Sequence, residues 1–270
     1  MNLSNENINH IINGDVEYLQ FKKLLEFNDL SHAYALKPLD FRNHFENDAC
    51  EAYKKLLNKL DVKLETLVKP YQTHTNNVIS VNEKINKDAP DIDLEYLNDV
   101  DGVVTSSKNI TIATTNADCN ILMFYDSVNK VIANIHSGWR GTFRKIAKNT
   151  VIKMKEEYDC KPENIILCIC PSIRACHFEV EDDVKTECEN IFKYTGRLSE
   201  IIKVGEIKDG KQKYLVDTVL INKILLEEEG ILPENIYDSN ICSVCAAEKI
   251  HSRRADGLEF GVGSAIIAMK

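Results

Sequence analysis

The 270-residue chain has one tryptophan, four methionines, six prolines and eleven glycines. Proline and glycine this sparse leave no stretch that reads as a flexible linker. No internal repeat or low-complexity tract is visible either, so residues 1–270 are expected to form one domain. Long apolar runs are also missing. The best, Ile165 to Cys170, is far short of the roughly 20 residues a bilayer span needs, which predicts no membrane partner. Met1 to Gly14 is rich in asparagine and lacks the apolar centre of a secretion signal, so a cytoplasmic location is expected. Basic residues are in the minority, 33 Lys and Arg against 42 Asp and Glu, for a net charge of −9. Such a chain lacks the basic surface that displaces counterions from a polyanion, which argues against nucleic acid as a partner. A small anion is still accommodated wherever a few arginines converge. There is no G-x-x-x-x-G-K-[ST] loop, no G-x-S-x-G elbow, no H-E-x-x-H and no G-x-G-x-x-G. None of the seven histidines forms a His-x-His pair, so the dense histidine clusters of a multicopper centre are missing as well.

What remains is an ordinary soluble composition, 44% hydrophobic and 28% charged. Nine cysteines in a reducing compartment read as free thiols or metal ligands rather than a disulfide framework. The apolar pattern predicts a hairpin over Tyr18 to Leu36 turning at Asn28-Asp29, and a helix over Glu46 to Leu60. Strands are expected at Asn77 to Val81, within Val100 to Asp126 with a break near Asp118-Cys119, and at Lys130 to His136. The clearest helix covers Thr142 to Tyr158, with Phe143, Ile146, Ala147, Thr150, Val151 and Met154 on one stripe. A strand over Asn164 to Cys170 and a helix over Val180 to Tyr194 follow. Next come a hairpin over Ile201 to Tyr214 turning at Asp209-Gly210 and a helix over Leu215 to Glu229 ended by Gly230. Final strands fall at Asn235 to Cys242 and Ser264 to Met269. Hairpins mixed with helices indicate an α+β protein, with mixed β-sheets covered by helices in a single compact domain.

The most informative stretch is Asp118-Cys119 followed, seventeen residues after the cysteine, by His136-Ser137-Gly138-Trp139-Arg140-Gly141. If the flanking strands pair through Ser127-Val128-Asn129 with residue 121 opposite residue 136, Cys119 and His136 share one face as diagonal neighbours. A one-residue slip would part them. His74, just ahead of a predicted strand, is the best third member of a metal site. Zinc accepts sulfur and imidazole nitrogen, and three protein ligands leave a fourth position open. The alternative is that Cys119 packs as a small hydrophobe and each histidine caps a loop.

Two further features carry charge. Gly138 and Gly141 flank Arg140 ahead of the Thr142 helix, with Arg144 close by, which suits an anion at a helix start. A tight turn with Trp139 packed beneath it is the competing reading. His251-Ser252-Arg253-Arg254 near the C-terminus can complete an anion or sugar site, or form a solvated loop. Cys168-x-Cys170, Cys176 and Cys242-x-x-Cys245 can in principle make a structural zinc site. Cys168 and Cys170, however, share one face of a buried-looking strand and read as core.

Together these segments resemble the laccase-domain family, also labelled polyphenol oxidoreductase or peptidoglycan editing factor. The likeness runs from about Leu30 to the end. It rests on Gln72-Thr73-His74, Asp101-Gly102-Val103-Val104-Thr105, Thr115-Asn116-Ala117-Asp118-Cys119, His136 to Gly141, Pro171-Ser172-Ile173, Phe178-Glu179-Val180 and Ser252-Arg253-Arg254. The family's Thr-Arg-x-Gly-Gly-like segment is replaced here by Tyr34 to Asp40, its Gly-Pro by Cys170-Pro171 and its terminal Gly-Arg by Gly261-Val262.

The resemblance implies a zinc ion, with copper the alternative, at His74, Cys119 and His136. It also implies purine nucleosides and phosphate as partners, with phosphorolysis of adenosine, inosine and methylthioadenosine and deamination of adenosine. On that footing Asp118 is the nearest proton carrier, or else faces away and supports the ligands from behind, Arg140 and Arg254 hold phosphate, and Ser252 adds to the substrate site. The rival readings are a cysteine hydrolase using Cys119 and His136, a zinc-stabilised binding module linked to cell-wall synthesis, and a copper phenol oxidase.

Overall fold

The computed structural model describes residues 1–42 and 49–270. Strands and helices follow from how apolar side chains alternate. In Asn120–Asp126, the odd-numbered Ile121, Met123 and Tyr125 face one core while Leu122 and Phe124 face another. A strand buried on both faces needs a layer on each side, and the chain supplies them.

The first sheet has seven strands. Their spatial order is Ile8–Asn13 (β1), Val16–Phe21 (β2), Leu30–Ala35 (β3), Gly263–Met269 (β16), Thr111–Asn116 (β8), Leu67–Lys69 (β4) and Asp91–Ile92 (β6). The second has six, in the order Ile236–Asp238 (β15), Ile165–Ile169 (β11), Asn120–Asp126 (β9), Val131–Ser137 (β10), Gly102–Thr105 (β7) and Val78–Ser80 (β5). A small third sheet joins Glu179–Val180 (β12), Lys211–Val216 (β14) and Ile202–Lys208 (β13). Most pairs are antiparallel, while β4 with β8 and β6, β5 with β7, and β11 with β15 are parallel.

The two large sheets pack face to face over one core that includes Leu19, Tyr34, Ile112, Ile121, Met123, Ile132 and Ile267. The helix Ala49–Lys59 (α1) lays Tyr53, Leu56 and Leu57 on the outer face of the seven-stranded sheet. On the outer face of the six-stranded sheet lie Ile146–Tyr158 (α3) and Thr218–Glu228 (α6), through Ile146, Val151, Met154 and Val219. The remaining helices are Trp139–Phe143 (α2), Asp182–Phe192 (α4), Leu198–Ile201 (α5) and Arg253–Asp256 (α7). Mixed sheets covered by helices match the expected α+β class. Among the described residues, no helix is long and apolar enough to cross a membrane.

Several expectations shift. The predicted Thr142 to Tyr158 helix is two, α2 and α3, parted where Lys145 turns left-handed (φ 63°). The stripe continues across this break because Phe143 packs with the small sheet's core and Ile146 with the large one. The helix expected from Leu215 begins only at Thr218, because β14 runs to Val216 and Asp217 caps the helix by accepting the Leu220 amide at 2.9 Å. The strand expected over Asn235 to Cys242 covers only Ile236–Asp238. β1 lies in the asparagine-rich start, where no strand was expected. The predicted start of the first helix, Glu46, lies outside the described residues.

Candidate metal centre

The site is built on the β9–β10 hairpin. Its register sets His136 opposite Ile121 and Ser137 opposite Asn120, the pairing expected from the sequence. His136 continues the face of Ile132, and Cys119 continues that of Ile121, so both project at one end of the layer between the large sheets. His74 comes from the loop between β4 and β5. Ligand atoms of His74, Cys119 and His136 all lie within 4.8 Å of one another, with Cys119 Sγ 3.8 Å from His74 Nε2. The imidazoles of His74 and His136 meet edge to face, their centroids 4.9 Å apart.

Asp101, which the sequence reading gave no role, organises this cluster. It precedes β7, which pairs with β10, and is fully buried beside His136. Its Oδ1 accepts from His136 Nδ1 at 2.7 Å and from the His74 amide at 3.1 Å. Its Oδ2 accepts from the Thr75 amide and hydroxyl, both at 2.7 Å, and from the Thr73 amide at 3.3 Å. These bonds hold His74 at φ 65°, a conformation that costs a non-glycine residue energy unless its surroundings fix it. Gln72 ties the same loop to β8 by donating to the Thr115 carbonyl at 2.7 Å and accepting its amide at 2.8 Å.

The donor set suits a metal. With Nδ1 bonded to Asp101, His136 turns Nε2 toward Cys119 and His74, the orientation that carboxylate–histidine pairs impose in metal sites. Burial pushes the Cys119 thiol up, but the charge of His136 and hydrogen bonds from His136 and His74 prevail and bring it down to about 6. Burial likewise pushes His136 down, but the Cys119 charge and the Asp101 bond prevail and lift it to about 9. The pair is therefore poised as thiolate and imidazolium, and a cation can replace the shared proton. Gly138 keeps the centre open. A Cβ there would stand 2.7 Å from His74 Cδ2, 3.2 Å from Cys119 Sγ and 3.3 Å from His136 Cε1.

Above the cluster lies a cleft of about 730 Å³. Five cationic side chains line it, Arg42, Lys69, Arg140, Arg253 and Arg254, together with the aromatic rings of Phe41, Tyr71, Trp139, Phe178 and Phe260. Local positive charge thus converges on a protein of net charge −9. The Arg140 guanidinium stacks 4.3 Å from the Trp139 ring centroid. Arg254 donates to the carbonyls of His177 at 2.9 Å and Glu179 at 3.2 Å, leaving further N–H groups of its fork for a ligand.

Not every expected residue reaches the cleft with a free group. Asp118 lines it, but its carboxylate accepts from the hydroxyls of Ser243 and Ser252, both at 2.6 Å, and from the Arg254 amide at 2.8 Å. Ser252 is fully buried. Its hydroxyl is engaged between Asp118 and the Ala255 amide it caps, so in this structure it supports Asp118. The helix start expected at Thr142 lies at Trp139 instead, and the Thr142 amide is bonded to the Gly138 carbonyl at 2.8 Å. Arg144 does not line the cleft. Of the three departures from the family pattern, Cys170 is buried in the core and Val262 faces the cleft. Tyr34 lies in the core, its hydroxyl donating to Asn116 at 3.0 Å.

Residues 40–270 match the family model described as multi-copper polyphenol oxidoreductase laccase. Purine nucleoside phosphorylase LACC1 of Homo sapiens is 30% identical over 82% of this chain and 47% of its own length, so the chain spans about half of that relative. Adenosine deaminase RL5, from an unknown prokaryotic organism, is 33% identical over 78% of each chain. Among solved structures, the hypothetical protein YfiH of Bacillus licheniformis shares the fold with a TM-score of 0.83. It is 22% identical, and the superposition covers 97% of this chain and 99% of that one.

Proposed function

The chain belongs to the multi-copper polyphenol oxidoreductase laccase family, and from that membership and the cleft we propose a zinc-dependent purine nucleoside enzyme. It phosphorolyses adenosine, inosine and methylthioadenosine to free base and the corresponding ribose 1-phosphate, and deaminates adenosine. The observation that carries this reading is the convergence of His74, Cys119 and His136 at the floor of a cationic, aromatic-lined cleft.

His74, Cys119 and His136 would hold the ion. Bound zinc supplies a Lewis acid with one uncompensated positive charge, since a single thiolate cancels one of two. The remaining work falls to the chain itself. The aromatic rings of the cleft offer faces on which a purine stacks. Arg140 and Arg254 bind phosphate through charge-assisted hydrogen bonds and hold it against the ribose carbon, so that the displacement becomes effectively intramolecular. Asp118, committed to three donors, fixes the loop that carries Cys119 and serves as a positioning residue instead of the proton carrier first expected.

A multicopper phenol oxidase needs many clustered histidines, and the cluster beneath the cleft holds two. A cysteine hydrolase draws support from the Cys119–His136–Asp101 relay, in which a lowered thiol faces an oriented imidazole. His74 at the same point favours the metal. The deciding assay supplies purified protein with adenosine or inosine, with and without phosphate. Free base and ribose 1-phosphate are expected only with phosphate, and Cys119→Ser and His136→Ala are expected to be inactive. Full activity after metal removal would leave the hydrolase reading in possession of the site.

A further inference from the structure

A second set of soft donors meets away from the cleft floor. The sulfurs of Cys176, Cys242 and Cys245 and the Nδ1 of His177 all lie within 4.8 Å of one another. His177 Nδ1 is 3.1 Å from Cys176 Sγ and 3.6 Å from the sulfurs of both Cys242 and Cys245. All three cysteines are free thiols. We propose that these four side chains form a second metal site, a structural zinc centre of the Cys3His type.

The geometry fits the ion. Bond lengths of about 2.3 Å to sulfur and 2.0–2.1 Å to nitrogen, set tetrahedrally, put nitrogen and sulfur ligands roughly 3.6 Å apart. Two of the three separations have that value and the third is half an ångström shorter. The Cys242 sulfur also receives the backbone amides of Cys245 and Arg174, which orient it as outer-shell donors do around a ligand. Three thiolates and one imidazole fill all four positions and overbalance the ion's charge. The site is therefore closed to substrate and differs in kind from the His2Cys cluster.

Its place in the fold gives it a task. Cys176 and His177 lie between β11 and β12, and Cys242 and Cys245 lie in the turns after β15. Both segments reach the cleft. Ser243 donates to Asp118 at 2.6 Å, and the His177 carbonyl accepts from Arg254 at 2.9 Å. An ion joining the segments clamps the wall that holds Asp118 and Arg254. The sequence offers Cys168, Cys170, Cys176, Cys242 and Cys245 together; the fold keeps Cys168 and Cys170 in the core, and the fourth donor, His177, emerges only when the two loops are brought together.

The test measures zinc by mass spectrometry in the Cys119→Ser/His136→Ala variant, purified under reductant with zinc in the medium, so that the count reports the second site alone. About one zinc per chain is expected, falling to near none when Cys242→Ser and Cys245→Ser are added. A zinc-edge anomalous map of the unaltered protein carries the same test if any variant fails to fold, with a peak expected among Cys176, His177, Cys242 and Cys245. A metal-free second site, or a Cys242–Cys245 disulfide in the zinc-supplied protein, overturns the proposal. Should the cleft site be the one that fails, the unaltered protein and the cleft variant would each hold one zinc, so the two failures are distinguishable.

Discussion

Asp101 Oδ1 accepts both the Nδ1 proton of His136, at 2.7 Å, and the backbone amide of His74, at 3.1 Å, so one buried carboxylate orients the imidazole on β10 and pins the backbone of the loop that carries the other. Removing its charge loosens both at once. Asp101→Asn is expected to weaken zinc binding 10- to 100-fold, the range found when the carboxylate behind a ligating histidine is lost. Competition against a chromophoric chelator measures it. Unchanged affinity would mean that the histidines are held by packing alone.

Gly138 tests the crowding of the cluster independently of charge. An alanine Cβ would stand 2.7 Å from His74 Cδ2, closer than real side chains approach, and a tight 3.2 Å from Cys119 Sγ. His74 must then swing away. Gly138→Ala is expected to lose nucleoside cleavage and most of the cleft zinc while keeping its circular dichroism spectrum. A variant that stays active and metal-loaded would show that the three side chains need not meet.

Much of this centre was legible in the sequence because a short connection leaves a hairpin little freedom. The strands turn through Ser127 to Lys130, one residue more than the sequence suggested, and this sets residue 121 opposite residue 136, from which the shared face of Cys119 and His136 follows. Asp101 escaped because a lone acid before a strand carries no periodic signal. Its role depends on β7 lying beside β10, a pairing between segments thirty residues apart. Ser252 and Asp118 were expected as active groups because polar residues in a motif look available. The structure engages them with each other, a contact across 134 positions that no local pattern encodes. The break at Lys145 was hidden for the opposite reason: one apolar stripe runs through it although the two halves serve different cores.

The acidity of Cys119 has a measurable consequence in the metal-free protein. Burial raises this thiol, but His136 and His74 lower it to about 6, so thiolate persists below the range of a free cysteine. The rate of alkylation by iodoacetamide at Cys119, followed by peptide mass spectrometry, is expected to be half-maximal near pH 6. Replacing His136 by alanine removes the main charge that opposes burial and should move the midpoint above pH 8. Added zinc should protect the sulfur at every pH where it binds. A midpoint near 8.5 in the unaltered chain would mean that the imidazole and thiol do not form a pair.

Asp238 anchors the end of β15. Both its oxygens accept from Arg174, at 2.7 Å each, and Lys223 lies 2.7 Å from Oδ2. Burial pushes this carboxyl up, but the Arg174 bond and charge, with Lys223, prevail and bring it down to about 2. A carboxyl depressed in the folded state stabilises the fold above its unfolded pKa of about 4, and that contribution disappears as the pH falls toward 2. The depression corresponds to about 2 kcal/mol. Asp238→Asn leaves the half-buried Arg174 with no counter-charge there, and because water still reaches its guanidinium the loss falls below the roughly 3–5 kcal/mol of a fully buried pair. The difference in melting temperature between the two proteins should therefore be largest above pH 4 and shrink steadily below it. A constant gap from pH 7 to pH 2.5 would show that Asp238 acts through shape and hydrogen bonding, with its charge contributing nothing.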